Sequence, residues 1–195
     1  QQLLDLAVKH KIRAVSYGRG PDKKVIRRLR DAGIVCMPTV GALKHAQKAI
    51  EMGANVITIQ GGEGGGHTGS VPTTVLLPQV VDAVKVPVVA AGGFYDGRGL
   101  VAALAFGAQG IAMGTRFLMT RDSGVPSATL QRYLDIKDVD RIRVSPLVDG
   151  MPQRMIDNEY LAMLEKAAPL RRVWIALQSA LQWKAQTGMT TKHAL

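Results

Sequence analysis

ANVITIQGGEGGGHTG, residues 54–69, decides how the chain is read. Its first seven residues are an apolar, β-branched run, the composition of a buried strand. The run leads directly into a segment in which Ile59 to Gly69 holds six glycines in eleven residues, with Glu63 and His67 among them. Glycine loses more conformational freedom on folding than any other residue, so this density at a strand end needs a reason. A mobile surface loop is one. A backbone that must lie very close to a ligand is the other.

Working outward, the same rhythm repeats. RAVSYG (13–18), IVCMPTV (34–40), PVVAAGG (87–93) and GIAMGT (110–115) are further strand candidates, with amphipathic helices expected near 21–32, 42–52, 74–84 and 97–106. Gly33, Gly53 and Gly107 each follow a helical stretch, where a left-handed C-cap is wanted. The strands are continuous apolar runs rather than alternating ones, which is the pattern of parallel strands covered on both faces. Five βα units in succession suit a (β/α)8 barrel, which usually needs about 250 residues. The expectation is therefore the C-terminal part of a longer TIM barrel, lacking its first three strands, followed by C-terminal helices. Residues 1–120 form the partial barrel in this reading, and residues 121–195 a loop and helical extension packing on it. Residues 121–150 read as loop and 153–187 as helix interrupted at Pro169, with Leu170, Val173, Trp174, Leu177, Leu181 and Lys184 at helical spacing. Trp174 and Trp183 read as packing residues.

Composition narrows the function classes. The chain has 195 residues, is 47% hydrophobic and 21% charged, and carries a net charge of +10. No apolar run reaches the roughly 20 residues of a membrane span, and no signal-peptide pattern is expected in QQLLDLAVKHKIRAV. One cysteine, Cys36, excludes an intrachain disulfide and suggests a reducing, cytoplasmic setting. The positive excess concentrates in GRGPDKKVIRRLRD, Gly18 to Asp31. On a helix, Val25, Ile26, Leu29 and Ala32 share the buried side, and Lys23/Arg27 and Lys24/Arg28 stack outside. No aromatics are interleaved, so nucleic acid is not the expected partner; an anionic small molecule remains open.

Three strand ends finish in glycine beside a polar residue: the loop after Gln60, Gly92-Gly93, and Gly114-Thr115. The carboxyl ends of strands carry the active sites of α/β barrels, and the last two commonly hold phosphate. The literal G-x-G-x-x-G at Gly64–Gly69 fails as a dinucleotide fingerprint, because Ser70-Val71-Pro72 follows where a helix should open. His67 is the histidine on a glycine-rich strand end and is a candidate proton donor; His10, His45 and His193 read as surface residues. Four dispersed histidines and one cysteine give no metal-ligand spacing.

QGGEGGGHTG, PVVAAGG and GIAMGTRFL, in this order and spacing, resemble the FMN-binding half of the nitronate monooxygenase (2-nitropropane dioxygenase) family, which includes flavin-type enoyl-thioester reductases. The resemblance runs from about Arg13 to Arg121. It implies a TIM barrel holding FMN, with Gln60 at the flavin ring and Gly65 against the cofactor. Gly92, Gly93, Gly114 and Thr115 would hold the phosphate, and His67 would stand beside the substrate. On this basis the loop glycines would let the backbone lie flat against a planar cofactor. The chain departs from the family where the strand end Ser-Phe-His-Phe-Gly carries the catalytic base of true nitronate monooxygenases. Here Ser16-Tyr17-Gly18 follows Val15 directly, with no histidine. The expected activity is therefore NAD(P)H-dependent reduction of an activated C=C bond in an acyl-CoA or similar thioester, with His67 or Tyr17 polarising a carbonyl or giving a proton. The basic Arg19–Arg30 stretch would suit the CoA phosphates. Nitronate oxidation with O2 and a non-catalytic phosphate-binding barrel are the alternatives. A homo-oligomer is left open.

Overall fold

The computed structural model describes residues 2–18 and 23–187. The chain divides into two compact units, Gln1–Leu130 and Gln131–Leu195.

The first unit is a wholly parallel five-stranded sheet in the order β1-β2-β3-β5-β6. Its strands are β1 (Ala14–Tyr17), β2 (Val35–Val40), β3 (Ile57–Gln60), β5 (Val88–Ala91) and β6 (Gly110–Ala112). A two-residue extended segment, β4 (Gly66–His67), lies within the glycine loop. The strands of the sheet stand in chain order, and helices α2 (Lys23–Asp31), α3 (Leu43–Glu51), α4 (Thr73–Ala83) and α5 (Gly97–Ala105) make the crossovers, after an opening α1 (Gln2–Lys9). This is the five-unit part of a TIM barrel that the alternation implied. The C-caps behave as expected, with Gly33, Gly53 and Gly107 at φ +72°, +108° and +90°.

Burial fixes which way each strand faces. Ile57, Ile59, Val88 and Ala90 join Leu76, Leu77 and Val80 of α4 in one apolar cluster. Cys36 joins Ala7, Ile26 and Leu29 of α1 and α2 in a second, with Val15 and Tyr17 packed against it. Because side chains alternate along a strand, Ser16, Met37, Thr39, Thr58, Gln60, Val89, Ala91, Gly110 and Ala112 face the other side, the barrel interior. On α2, Ile26 and Leu29 are buried, while Ala32, expected with them, lies just past the helix end and is exposed. Arg28 on its outer side pairs with Asp5 at 2.5 Å.

The second half of the chain corrects two sequence expectations. The stretch read as loop contains α7 (Ser127–Leu134), a 3-10 turn (Val139–Arg141) and β7 (Ile142–Ser145). The stretch read as helical from 153 opens instead as β8 (Gln153–Ile156), antiparallel to β7 with Ile142 opposite Ile156 and Ser145 opposite Gln153. Helices α8 (Glu159–Lys166) and α9 (Pro169–Thr187) follow, with Pro169 at the first helical position, where its missing N–H costs nothing. Asn158 caps α8 by accepting from the Leu161 N–H at 2.9 Å. Arg172 donates to the Leu164 and Glu165 carbonyls at its other end, and Arg143 is ion-paired to Glu165. The apolar stripe of α9 is not packed: Leu170 is 87% exposed and Trp174 59%. The side chains of Trp183 and Lys184 lie outside the described residues. Among the described residues, no helix is long and apolar enough to cross a membrane.

Candidate active site

The site is built at the carboxyl ends of β3, β5 and β6, all in the first unit. Gln60 is the last residue of β3, on the interior face. The register pairs Gln60 with Ala91, and Ala91 with Ala112. On the other flank Val40 pairs with Ile59, so Gly41 comes next to Gln60. A Cβ on Gly41 would stand 3.6 Å from the Gln60 carbonyl oxygen. One polar side chain therefore rises from a row of glycine and alanine.

Gln60 is held by the loop that follows it. Its Nε2 donates to the His67 carbonyl at 2.8 Å and reaches the Gly65 carbonyl at 3.5 Å. With both amide hydrogens directed at backbone carbonyls, its Oε1 is the part left to accept from a ligand. The loop is pinned internally as well. Gly64 N–H donates to the Gly61 carbonyl, Gly62 N–H to Val71, and the Thr68 hydroxyl to Gly61 at 3.1 Å. Gly61 N–H donates to the Ala91 carbonyl at 3.1 Å, joining the loop to β5.

The glycines divide into two kinds. A Cβ on Gly61 would lie 2.0 Å from the Thr73 hydroxyl, and one on Gly64 would lie 2.4 Å from the Gln60 amide nitrogen. One on Gly92, at φ +97°, would come 3.0 Å from the Gly64 nitrogen. These three positions need glycine because protein atoms already fill the space. Gly65 is different: a Cβ there would meet only the Thr115 hydroxyl oxygen, at 4.0 Å. Gly114 opens on empty space, and Gly93, at φ +81°, has only the Glu63 side chain nearby. Protein atoms thus occupy the space a side chain would take at Gly61, Gly64 and Gly92, and leave it open at Gly65 and Gly114.

Gly65 lies beside the Thr115 hydroxyl, where β6 gives way at Gly114 to the short helix α6 (Thr115–Leu118). A short extra helix after the last barrel strand is the usual phosphate anchor of such barrels. Gly92 and Gly93 close β5 and lead to α5, whose N-cap Asp96 accepts from the Arg98 and Gly99 N–H groups. Arg98 also donates to the Asp96 carboxylate at 2.6 Å and to the Tyr95 hydroxyl at 2.9 Å. The hydrogen bonds from Arg98 hold the Asp96 carboxyl below the usual carboxylate range. Gln60, Gly93, Gly114 and Thr115 thus stand at the carboxyl ends of β3, β5 and β6, with Gly65 beside the Thr115 hydroxyl and Gly92 packed against the Gly61 and Gly64 backbone; backbone N–H groups and a threonine hydroxyl are donors of the kind a flavin mononucleotide phosphate takes. His67 is exposed on the same loop.

Tyr17 is not brought to this site. Its ring packs with Ile26, Leu29 and Cys36 on the helix side of β1, and its buried hydroxyl, beside the Cys36 thiol, has no partner at hydrogen-bond distance among the described residues. Burial, with the nearby Cys36 thiol, pushes its pKa up to about 12. The residue that β1 presents to the interior is Ser16, which sequence reading passed over because both faces of so short a strand carry apolar neighbours. Thr73 and Glu63 were also missed. The Glu63 carboxylate accepts from the Thr73 hydroxyl at 2.7 Å and from its N–H at 3.0 Å, a pairing ten residues apart that no local signal announces. Among the described residues, no group of three His, Cys, Asp or Glu side chains could hold a metal ion.

The sequence profile described as nitronate monooxygenase matches residues 1–191. A (3aS,4S,5R,7aS)-5-hydroxy-7a-methyl-1-oxo-octahydro-1H-indene-4-carboxyl-CoA dehydrogenase from Rhodococcus jostii is 49% identical over 95% of this chain and 52% of its own length. Among solved structures, FabK from Thermotoga maritima superposes with a TM-score of 0.80 at 30% identity, over 93% of this chain and 59% of its own. A nitroalkane oxidase from Streptomyces ansochromogenes superposes with a TM-score of 0.74 at 34% identity, over 82% of this chain and 49% of its own. The chain thus spans about half the length of the proteins it matches. With the parallel five-unit sheet and the glycine-lined strand ends in register, the chain belongs to the nitronate monooxygenase family of oxidoreductases.

Proposed function

We propose that this chain is the flavin-holding part of an FMN-dependent oxidoreductase that acts on an acyl-CoA thioester. The observation that carries the reading is the side-chain-poor floor around Gln60: Gly41, Ala91 and Ala112 flank it, and a side chain at Gly65 would meet only the Thr115 hydroxyl. Such a floor lets a flat ligand approach the strand ends closely. Bound FMN would supply hydride exchange with a carbon of the acyl group, so that a C=C bond conjugated to the thioester is reduced or formed. Gln60 Oε1, fixed by the two loop carbonyls, would accept a hydrogen bond from the flavin ring. Gly93, Gly114 and Thr115 would hold the phosphate through backbone N–H groups and the threonine hydroxyl. His67 would hold or give a proton at the thioester carbonyl. The acyl-CoA reading is supported by the carboxyl-CoA dehydrogenase relative, and NAD(P)H is the proposed redox partner. The buried, unbridged Cys36 accords with a cytoplasmic setting, which we retain as a proposal.

Nitronate oxidation by O2 is less well supported, since the interior end of β1 offers Ser16 where a base would be needed. The test is spectroscopic. The full-length protein should purify yellow and release FMN on denaturation. Anaerobic addition of an acyl-CoA, or of NAD(P)H followed by an enoyl-CoA, should then change the flavin spectrum. Oxygen uptake with an alkyl nitronate and no response to thioesters would establish the alternative. A colourless protein that cannot be reconstituted with FMN would leave a non-catalytic phosphate-binding barrel.

A further inference from the structure

We propose that Thr73 and Glu63 form a latch that sets the flavin-binding geometry, as positioning residues that never touch the cofactor. The inference rests on the FMN reading above. Its starting point is a helix with no cap of its own. Helix α4 begins at Thr73, and its N-cap residue is Pro72, which makes no side-chain cap hydrogen bond. The first amides of a helix lack intrahelical partners and favour a negative charge. Glu63 supplies one from the middle of the glycine loop: its carboxylate accepts from the Thr73 N–H at 3.0 and 3.3 Å and from the Thr73 hydroxyl at 2.7 Å.

The Thr73 hydroxyl does more than receive the loop. It also lies 3.2 Å from the Gly92 carbonyl oxygen, at the end of β5. One buried hydroxyl, on a residue only 5% exposed, therefore stands between the loop after β3 and the loop after β5. The backbone around it is interlocked. Gly61 fits beneath that hydroxyl, Gly92 lies against the Gly64 and Gly61 nitrogens, and Gly93 faces the Glu63 side chain. The first of these loops carries Gly65, and the second carries Gly93. A ligand bridging both needs them in one fixed relation, and hydrogen bonds to a carboxylate are among the stronger ones available to hold it.

The experiment uses the full-length protein and three variants, Thr73→Val, Thr73→Ser and Glu63→Gln. The readouts are the FMN dissociation constant of the apoprotein, the visible circular dichroism of bound flavin, and the melting temperature without FMN. Thr73→Val should weaken FMN binding about tenfold or more, the size expected for losing a hydrogen bond to a charged group, and should alter the flavin dichroism. Thr73→Ser should restore both, and Glu63→Gln should fall between. If Thr73→Val and Glu63→Gln lower only the apoprotein melting temperature, with FMN affinity and dichroism unchanged, the pair is a helix cap and the latch is overturned. If Thr73→Val does not fold, Glu63→Gln and Thr73→Ser decide the matter by the same two flavin readouts. A wild-type protein that binds no FMN would instead overturn the flavin reading itself, and the latch with it.

Discussion

Two alanine substitutions four residues apart should do opposite things. Gly61→Ala would place a Cβ 2.0 Å from the Thr73 hydroxyl oxygen, 2.5 Å from its nitrogen and 2.6 Å from its Cα. Two of those atoms are backbone, and Thr73 opens a helix whose Leu76, Leu77 and Val80 are buried, so the neighbour cannot retreat. Overpacking of this kind costs about 3 kcal/mol, the upper part of the usual range. For a chain of this size that lowers the melting temperature by about 6–12 °C. Gly65→Ala meets only the Thr115 hydroxyl oxygen at 4.0 Å, and Gly65 is outside the left-handed region. The apoprotein should therefore melt with the wild type or slightly above it, since alanine restricts the unfolded chain by about 0.4–1 kcal/mol. FMN binding should suffer instead: a methyl group pressed against the flavin costs about 1–3 kcal/mol, or roughly 5- to 150-fold in dissociation constant. Differential scanning fluorimetry of the apoproteins and flavin fluorescence titration measure the two effects. A Gly61→Ala protein that melts with the wild type would refute the internal-packing account, and a Gly65→Ala protein with unchanged FMN affinity would refute the cradle.

Three further outcomes follow from the same geometry. Tyr17→Phe removes a buried hydroxyl that has no hydrogen-bond partner among the described residues, so it should leave turnover unchanged and stability equal or higher; a large loss of kcat would return Tyr17 to the mechanism. Because burial raises the Tyr17 pKa from 10.0 to about 12, the folded state keeps a proton that the unfolded state loses between those values. Stability should thus fall as pH rises through that window, and equilibrium denaturation should show a shallower fall in Tyr17→Phe. His67→Ala should slow turnover roughly a hundredfold, the lower range for a lost general acid, with FMN still bound because it is the His67 backbone carbonyl that holds Gln60. Unchanged turnover would remove the imidazole from the reaction.

What sequence made legible was whatever has a local cause. Strands β1 to β3, β5 and β6 are apolar runs, and the helices between them end at Gly33, Gly53 and Gly107, whose positive φ angles only glycine adopts readily. Facing was harder. Ala14-Val15-Ser16-Tyr17 offers small or apolar residues on both sides, and it is contact with Ile26, Leu29 and Cys36 that turns Tyr17 towards the helices. The strands Ile142–Ser145 and Gln153–Ile156 each hold an arginine within four residues, too short and too polar for periodicity to reveal. The division among the glycines was hidden for another reason. Whether a Cβ would strike protein or enter open space depends on Thr73, Gln60 and Thr115, none of which is adjacent to the glycine it constrains.

The placement of carboxylates narrows where an anion can sit. The helix after β3 has its first N–H taken by Glu63, and the helix after β5 has its N-terminal amides taken by Asp96. Each carboxylate satisfies the positive end of a helix dipole, and a phosphate brought to either would meet like charge. The turn after β6 is different: the cap residue of α6 is Gly114, with no side chain to accept from the helix, and the next residue, Thr115, has its hydroxyl facing Gly65. Under the proposed function, an anion at this end of the sheet would therefore be favoured at Gly114 and Thr115 over the starts of α4 and α5. From there, a planar ring attached to it by a short chain would extend across Gly65 towards Gln60. Under that proposal, the acidic residues that close two helix ends would keep the anionic end of the ligand away from α4 and α5.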